Sequence, residues 1–290
     1  MEPLRLITPP AAEPVSLGDL KGLCRLSLTD SSRDATLQLF LTAARKDCEK
    51  ECRIALMTQT WLWRMDSFPT VPMRYNRNGY PQLLLPKPPF QSVQWFQYVD
   101  TSGTVQTLTR DTSYGTNPAA PFYGYQLDPG GGTMPAGLTP PWARPWAPQL
   151  LVPANTLVQF RAGYGGPLTV SMAANSPALT VSGFAFNPDD APGLVGDTGT
   201  AISIPGAGAD GAALNTTVLS VDDSGNATLA ANAQTAVTNA TAWLGDQVPE
   251  DLKLSILFQA QHYHEQGAVV DMDRPRVITN LRRHYRNEVS

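Results

Sequence analysis

The amino-acid composition changes at Leu157-Val158-Gln159-Phe160-Arg161-Ala162-Gly163-Tyr164-Gly165-Gly166-Pro167. The first five residues of this stretch form a β-prone run, which predicts a strand that ends at the glycines. From Pro167 to Gln247 the chain then holds seven aspartates and no lysine or arginine. A composition change of this kind indicates a boundary between two modules.

The formal net charge of −4 conceals this boundary. The acidic stretch carries −7, whereas the rest of the 290 residues carries +3, from 21 basic and 18 acidic side chains. The stretch is rich in Ala, Gly, Thr, Asn and Ser, and its flanks contain every Lys, Arg, His and Cys. We therefore predict an inserted domain over residues 167–247, within a discontinuous domain formed by residues 1–166 and 248–290.

The overall composition is that of a folded protein with many turns. Gly and Pro make up 49 of the 290 residues, about 17% against the usual 12% or so. A hydrophobic content of 42% supplies a core and argues against disorder. No apolar run approaches the roughly 20 residues that cross a bilayer, so we expect no membrane partner and a cytoplasmic location. Three cysteines, all in the first sixth of the chain, exclude a disulfide scaffold.

Helical signals dominate both ends of the discontinuous domain. Ser16 followed by Asp19 is a capping-box variant that precedes apolar residues at 3–4 spacing. A polar start signal at 29–32 precedes an apolar stripe from Leu37 to Cys52, which predicts a helix of four or five turns. The acidic start Val248-Pro249-Glu250-Asp251 predicts another helix, and Gly267 is its natural end.

Between these helices the apolar period changes to two, which predicts strands. The predicted strands are Thr60–Met65, Leu83–Leu85, Val93–Val99, Thr104–Leu108 and Leu157–Arg161. The turn Asp100–Gly103 joins two of them as a hairpin. The Pro-, Gly- and Trp-rich segment from Pro118 to Pro153 is expected to be a long ordered loop.

Residues that bind metals in other proteins do not come together at a productive spacing. Cys48 and Cys52 share a helix face, but no second Cys or His pair follows, so we interpret both as buried packing residues. His262 and His264, next to Glu265, would point about 200° apart on a helix, which prevents them from sharing one ion. We therefore predict no metal site.

Cofactor and catalytic motifs are equally incomplete. The glycines of Gly206–Gly211 match a dinucleotide fingerprint in spacing, but the residues after them are β-prone and no helix opens to receive a phosphate. The segment Asp222–Asn226 lacks the glutamate that closes a calcium loop and is typical of a polar hairpin. No serine lies in a nucleophile elbow. We therefore predict no cofactor and no enzymatic activity.

A short terminal segment from Arg274 to Arg286 interleaves five arginines with apolar side chains. Two interpretations are open: a solvated helix face, or a surface for a protein partner, where Tyr and Arg are common anchors. We expect the helix from Pro249 to Gln266 to hold the core contacts. On that basis, truncation after residue 271 would leave the fold nearly intact.

Several local patterns of the flanks follow one order along the chain. They are Ala55-Leu56-Met57-Thr58-Gln59-Thr60-Trp61, Leu84-Leu85-Pro86 with Pro89 and Gln91-Ser92-Val93, Tyr98 with the Asp100–Gly103 turn, Val158 to Gly165, and Val248 to Lys253. Together they resemble the head–tail connector (adaptor) family of tailed bacteriophages over residues 15–166 and 248–287. The end Ala162-Gly163-Tyr164-Gly165, followed by Val248-Pro249, is the most specific part of the resemblance.

The resemblance implies a structural virion protein at the neck, with host cytoplasm as its location during assembly. It implies a ring, typically of twelve copies, that joins the portal protein to a downstream tail or neck protein. Genomic DNA would pass through the lumen without sequence-specific binding. In that family the C-terminal segment reaches toward the portal, so the implied portal contacts are Arg274, Arg276, Val277, Ile278, Leu281, Arg282, Arg283, Tyr285 and Arg286.

The insert departs from the family pattern and resembles a small β module of phage fibre and other virion-surface proteins. Short β-prone runs at 8–12-residue spacing independently predict a β-sandwich or small barrel. The expected fold class is therefore α+β: a helical connector core with a small β element, plus an inserted all-β domain. An alternative function is a carbohydrate-binding or carbohydrate-cleaving virion component, in which Trp142 and Trp146 would stack on sugars.

Overall fold

Strands contain more of the described residues than helices do. The structure is a computed structural model that describes residues 4–69, 81–110, 124–128, 130, 133–141, 145–182, 186, 197–222, 224–267 and 275–286. It is mostly β, with 37% strand and 24% helix.

The elements follow one another in two groups of strands framed by helices. The described strands are β1 (Leu4–Thr8), β2 (Gln59–Met65), β3 (Leu83–Leu84), β4 (Phe90–Val99), β5 (Val105–Thr107), β6 (Thr109–Arg110), β7 (Gly124–Asp128), β8 (Gly137–Thr139), β9 (Thr156–Ala162), β10 (Gly165–Met172), β11 (Ala178–Ser182), β12 (Ala201–Ile204), β13 (Leu214–Val221), β14 (Ala227–Leu229) and β15 (Val237–Gly245). The described helices are α1 (Leu17–Leu23), α2 (Asp34–Cys52), α3 (Glu250–Gln266) and α4 (Arg276–Arg282).

The first sheet is antiparallel with five strands in the order β1-β2-β9-β4-β5. Trp61 pairs with Phe160, and Phe160 pairs with Val93, so one face collects large apolar side chains. The predicted hairpin between β4 and β5 is confirmed, because the Asp100 carbonyl accepts a hydrogen bond from Gly103, which has a φ of +84°. The sheet therefore has one face committed to the core.

A second sheet of four strands, β3-β8-β7-β6, lies against that apolar face. It includes part of the segment expected to be a loop. Tyr125 of this sheet packs against Phe96 of the first, with ring centroids 5.5 Å apart. Beside them Trp146, from the proline-rich stretch, stacks on Phe68 with ring centroids 4.8 Å apart. The proline-rich stretch thus contributes core residues.

The acidic stretch forms a closed six-strand barrel in the order β10-β11-β14-β13-β12-β15. Its interior is a separate cluster of small and aliphatic side chains, including Val170, Ile204 and Leu229. The first and last strands are neighbours, with Gly165 opposite Gly245. The chain therefore enters and leaves the barrel at one place. The predicted domain limits at 166/167 and 247/248 stay a prediction.

The four helices form a layer with its own apolar cluster. The capping box at α1 is confirmed, with hydrogen bonds both from the Asp19 N–H to Ser16 Oγ and from the Ser16 N–H to Asp19 Oδ2. The Gly267 end of α3 is also confirmed. The helix α2 begins later than its start signal, because the Asp30 carboxylate accepts from the Ser32 N–H in a local turn instead of capping the helix.

The expected fold class, a helical connector core with a small β element, is wrong. The described residues form two sheets of five and four strands and a closed barrel, and the helices form one layer beside them. Helix signals are local, whereas Gln59 of β2 pairs with Ala162 of β9, more than a hundred residues away. The local patterns therefore overstated the helical share and missed partners for β1, β6, β7 and β8.

We expect the barrel to be removable. A variant with residues 168–244 replaced by a short Gly/Ser turn should still unfold cooperatively, because the apolar cluster of the barrel lies within the deleted residues. The surface that the deletion uncovers at the cleft includes the polar side chains of Thr58, Thr60, Gln94 and Arg161. Chemical denaturation followed by far-UV circular dichroism measures the cooperativity of unfolding of this variant.

Trp243 is the part of the barrel that also packs on the helical cluster. A matched deletion of residues 168–241 keeps this side chain and should be the more stable of the two. Loss of cooperative unfolding in both deletions would show that the barrel and the rest of the chain share one core.

Candidate functional site

The implied portal contacts lie on α4 and on a 3₁₀ turn, Arg283–Tyr285, that follows it directly. Pro275 precedes the first helical residue with φ −55° and ψ +131°, an extended conformation suited to a helix start. Arg274 lies outside the described residues. The remaining eight candidates divide into an inner and an outer set.

The inner set attaches α4 to the helical layer. Arg282 is fully buried, and its Nη1 donates to Asp47 Oδ2 and Glu51 Oε2 of α2, both at 2.9 Å. Its Nε lies 3.4 Å from Ser255 Oγ of α3. Ile278, one turn earlier, is also fully buried. The segment is therefore part of the core, and truncation after residue 271 would remove core contacts, contrary to the expectation from the sequence.

The charge on Arg282 is stabilised despite its burial. Burial disfavours the charged guanidinium, but Cys48 and the carboxylates of Glu51 and Asp47 more than offset this, so the pKa of Arg282 lies above its ordinary value. Removing one partner of such a pair leaves an uncompensated charge, which costs more than the pair contributes. Arg282 thus fixes α4 on α2.

Cys48 and Cys52 lie beside this arginine and act as packing residues, as the sequence indicated. Cys52 Sγ donates a long hydrogen bond of 3.8 Å to the Arg282 carbonyl oxygen, and Cys48 Sγ lies 3.9 Å from Ser255 Oγ. The hydrogen bond with Cys48 and burial both raise the pKa of the Cys52 thiol. Both side chains are fully buried.

The outer set is accessible to a partner. Its members are exposed or half-exposed: Arg276, Val277, Leu281, Arg283, Tyr285 and Arg286. Val277 is 45% exposed, and Arg286 makes a surface ion pair with Glu51. Tyr285 packs partly on the helical cluster. The surface of α4 and of the turn after it thus presents cations around the apolar side chains of Val277 and Leu281.

The Gly-Tyr-Gly motif joins the helical layer, the first sheet and the barrel. Gly163 has a φ of +131°, and a Cβ there would lie 2.2 Å from the Met57 carbonyl oxygen. The N–H of Gly163 donates to the Pro89 carbonyl at 2.8 Å, and the Thr58 N–H donates to the Gly165 carbonyl at 2.9 Å. The motif therefore marks a close crossing of two backbones that excludes side chains.

Tyr164, between the two glycines, packs against the helical cluster. Burial is the main cause that raises the pKa of its phenol to about 12. The side chain is therefore neutral at physiological pH and serves as an apolar contact at the crossing.

A cleft of about 560 Å³ lies between the first sheet and the barrel. Beside it, Arg161 of β9 reaches Asp197 of the barrel segment, with Nη1 and Oδ2 3.4 Å apart and both residues 5% exposed. Burial lowers the pKa of Arg161 and the aspartate opposes that shift. This buried ion pair ties the barrel to the sheet.

The glycine-rich and aspartate-rich motifs form turns. The Gly206–Gly211 region is a turn with one 3₁₀ segment, Ala209–Gly211, and it leads into strand β13. Asp222 accepts hydrogen bonds from Ser224 and Asn226 in the hairpin between β13 and β14, as predicted. Among the residues that the structure describes, no group of three His, Cys, Asp or Glu side chains could hold a metal ion. None of the described helices is long and apolar enough to cross a membrane.

Trp146, one of the two tryptophans considered for sugar stacking, lies in the core. Only 8% of it is exposed, its ring stacks on Phe68, and its indole N–H donates to the Pro81 carbonyl at 3.1 Å. Trp142 lies outside the described residues. Trp146 is therefore not available at a surface for sugar stacking.

Comparison with solved structures finds the fold in gene transfer agent particles. No family model matches the chain, and no curated protein does. The chain is similar to a chain from the neck of an empty gene transfer agent particle computed with C6 symmetry, with a TM-score of 0.50 and 14% identity, covering 98% of this chain and 95% of the other. A chain from the virion of a native gene transfer agent particle gives a TM-score of 0.50 and 13% identity over the same shares. At this identity the likeness shows a shared fold.

Two features of the site could not be recognised in the sequence. The distinction between Arg282 and its neighbours depends on α2, whose acidic residues Asp47 and Glu51 lie more than 230 positions away. The ion pair of Arg161 with Asp197 depends on closure of the barrel. A buried arginine has no local signal, since the same residue type is abundant on helix surfaces.

Proposed function

We propose that this chain is a structural protein of the neck of a phage-like virion. In this proposal it is an adaptor without enzymatic activity, and its copies form an oligomeric ring that joins the portal to the tail or to the next neck protein. The ring continues the channel through which DNA passes. Host cytoplasm is the place where it meets the portal during assembly.

The observation that carries the proposal is the full-length structural likeness to a neck chain of a gene transfer agent particle. Because 98% of this chain is covered, the likeness includes the barrel as well as the sheets and helices. That neck was computed with C6 symmetry, and a symmetric neck supports a ring. The order of connector-like patterns along the flanks supports the same role independently.

The exposed arginines of α4 supply the portal contact in this proposal. We expect Arg276→Glu combined with Arg283→Glu to abolish attachment to portal-bearing heads, because charge reversal turns attraction into repulsion at an interface. The fold should persist, since exposed substitutions usually change stability by no more than about 0.5 kcal/mol. Co-sedimentation with heads measures attachment, and thermal unfolding checks the fold.

A matched control for that variant reverses charge elsewhere on the helical layer. Lys46→Glu combined with Lys50→Glu lies on the exposed face of α2 and should leave attachment unchanged. Equal co-sedimentation of the α4 variant and the wild type would remove the arginines from the portal contact.

The neck role itself is tested by deleting the gene in the producing system. We expect DNA-filled heads that lack tails, because an adaptor is needed before a tail can join. Quantitative mass spectrometry of wild-type particles should find the chain in a fixed small-integer ratio to the portal protein. Complete tailed particles in the deletion, or a chain found only in the lysate, would refute the proposal.

The carbohydrate alternative has no support from the described surface. Trp146, one of its two stacking rings, packs in the core. The barrel closes on its own apolar cluster, and its segment contains no Lys or Arg. A glycan array with saturable binding would favour this alternative over the adaptor.

A further inference from the structure

Exposed apolar side chains gather at the two opposite edges of the first sheet. Large hydrophobic residues are usually exposed singly on a monomer. Here five of the eleven exposed large hydrophobic residues in the described chain belong to two places: Leu6 and Ile7 at one edge, and Val105, Leu150 and Leu151 at the other.

The first edge is β1, the outermost strand on its side of the sheet. It pairs with β2 along one side only, and no other described strand pairs with its free side. Leu6 is 39% exposed and Ile7 41%, on alternate faces of the strand. An apolar edge strand of this kind presents unpaired backbone groups and readily accepts another strand.

The second edge is a corner at the end of β4 and β5. Val105 of β5 pairs with Val99, and the carbonyl of Val99 accepts a hydrogen bond from the Leu150 N–H at 3.1 Å. Val105 is 61% exposed and Leu151 81%. Val105 and Leu150 therefore both neighbour Val99 at the end of β4, Leu151 follows directly in the chain, and β5 is a second free strand edge.

The two edges also differ in charge. Arg5 is exposed on β1, and Asp100 lies at the corner of β4 and β5. Hydrogen bonds from Ser102, and then from Gln106 and Thr104, lower the pKa of Asp100 to about 2, so this carboxylate stays charged. A cation at one edge and an anion at the other favour contact between unlike edges over contact between like ones.

We propose that neighbouring copies of this chain contact head to tail through the sheet, with the β1 edge of one copy against the Val105–Leu151 corner of the next. This inference rests on the proposed ring and names its contact. Head-to-tail contacts use two different surfaces and close into a ring when the rotation allows. Opposite edges of one sheet supply two such surfaces.

Cysteine crosslinking tests the contact directly. Ile7→Cys combined with Val105→Cys, in a Cys24→Ser background, should give adducts of two, three and more copies after mild oxidation of assembled particles. The two cysteines of one copy cannot join each other, because four strand spacings separate the edges by about 19 Å, beyond the reach of a disulfide. Each single cysteine variant serves as the control and should give no ladder.

Lysine substitution tests the same contact without crosslinking. Ile7→Lys and Val105→Lys should each enter particles at least about tenfold less than the wild type, as expected for charge placed in an interface. Leu219→Lys, at a 59% exposed strand position of the barrel, is the matched control and should enter normally. When Ile7→Lys and Val105→Lys are mixed in solution, they should form only one-to-one pairs. The intact corner of the first variant can meet the intact β1 edge of the second, and the two substituted edges that remain cannot add a third copy.

The outcomes separate this contact from the neck function. Normal entry of folded Ile7→Lys and Val105→Lys into particles would overturn the contact while leaving the neck function intact. Dimers from Ile7→Cys alone would overturn it too, because they would show like edges meeting. Absence of the wild-type chain from particles would refute the neck function, and the same adducts in concentrated purified protein would then decide the contact.

Discussion

Gly163→Ala is expected to destabilise the protein by about 3 kcal/mol or more, from backbone strain and from overpacking together. The φ of +131° is one that residues with a side chain rarely adopt, and the added Cβ would meet the Met57 carbonyl carbon at 2.4 Å and the Thr58 nitrogen at 2.7 Å. Both are backbone atoms, which cannot rotate away. Urea unfolding followed by tryptophan fluorescence measures the free energy of unfolding.

Gly22→Ala is the matched control for this substitution. Gly22 lies in α1, with nothing within 4 Å of an added Cβ. Alanine there should stabilise the protein by up to about 1 kcal/mol, because glycine is the poorer helix former. Equal effects at positions 163 and 22 would contradict the close crossing at the Gly-Tyr-Gly motif.

Arg282→Ala is expected to cost about 3 kcal/mol, since it leaves the carboxylates of Asp47 and Glu51 without their buried partner. It also opens space where the fully buried side chain stood. Arg282→Lys should recover only part of the loss, because an ammonium cannot reproduce the planar guanidinium that contacts both acids. Thermal unfolding of the purified proteins should rank the wild type as the most stable, Arg282→Lys next and Arg282→Ala last.

The neighbouring Arg283 provides the control for that series. It is exposed, and Arg283→Ala should change the free energy of unfolding by no more than about 0.5 kcal/mol. If Arg282→Ala were as stable as Arg283→Ala, α4 would not be anchored through this ion pair. In co-sedimentation with portal-bearing heads we expect the opposite order, with attachment more sensitive to substitution of Arg283 than of Arg282.

The sequence predicted elements well where a local signal suffices. The Ser16 capping box, the helix ending at Gly267, the strands β2 and β9 and the hairpin at Asp100 all agree with the structure. Each depends on residues within a few positions of one another. The length of the acidic stretch and its strand spacing likewise indicated a β module, and a closed barrel is found.

The sequence overestimated the helical share of the chain. Strands pair with residues that lie far away in the sequence, so local patterns do not reveal them. The edge strand β1 lies in an opening segment with little polar alternation, and its burial pattern gives no periodic signal. The pairing of β7 with β8 runs through a proline-rich stretch that has turn composition throughout. Tyr125, Leu127 and Leu138 of these strands are buried in one cluster with Phe68, Phe96 and Trp146, residues that lie far from them in the sequence or carry no strand signal.

Among the implied portal contacts, the sequence likewise could not separate buried residues from exposed ones. Val277 and Ile278 are adjacent and equally apolar, but one is 45% exposed and the other fully buried. A seven-residue helix offers too few turns for a periodic pattern to separate its faces. The structure therefore divides the eight described candidates into an outer set that can meet a partner and an inner set that holds the helix.

A focused cryo-EM reconstruction of the neck of particles that contain this chain tests the central claim most directly. We expect a closed ring between portal and tail in which every copy shows a five-stranded sheet, a helical layer and a closed six-strand barrel. Adjacent copies should meet at β1 and at the Val105 corner. A neck whose density is fully explained by other proteins, with this chain found on fibres or missing from the particle, would contradict it.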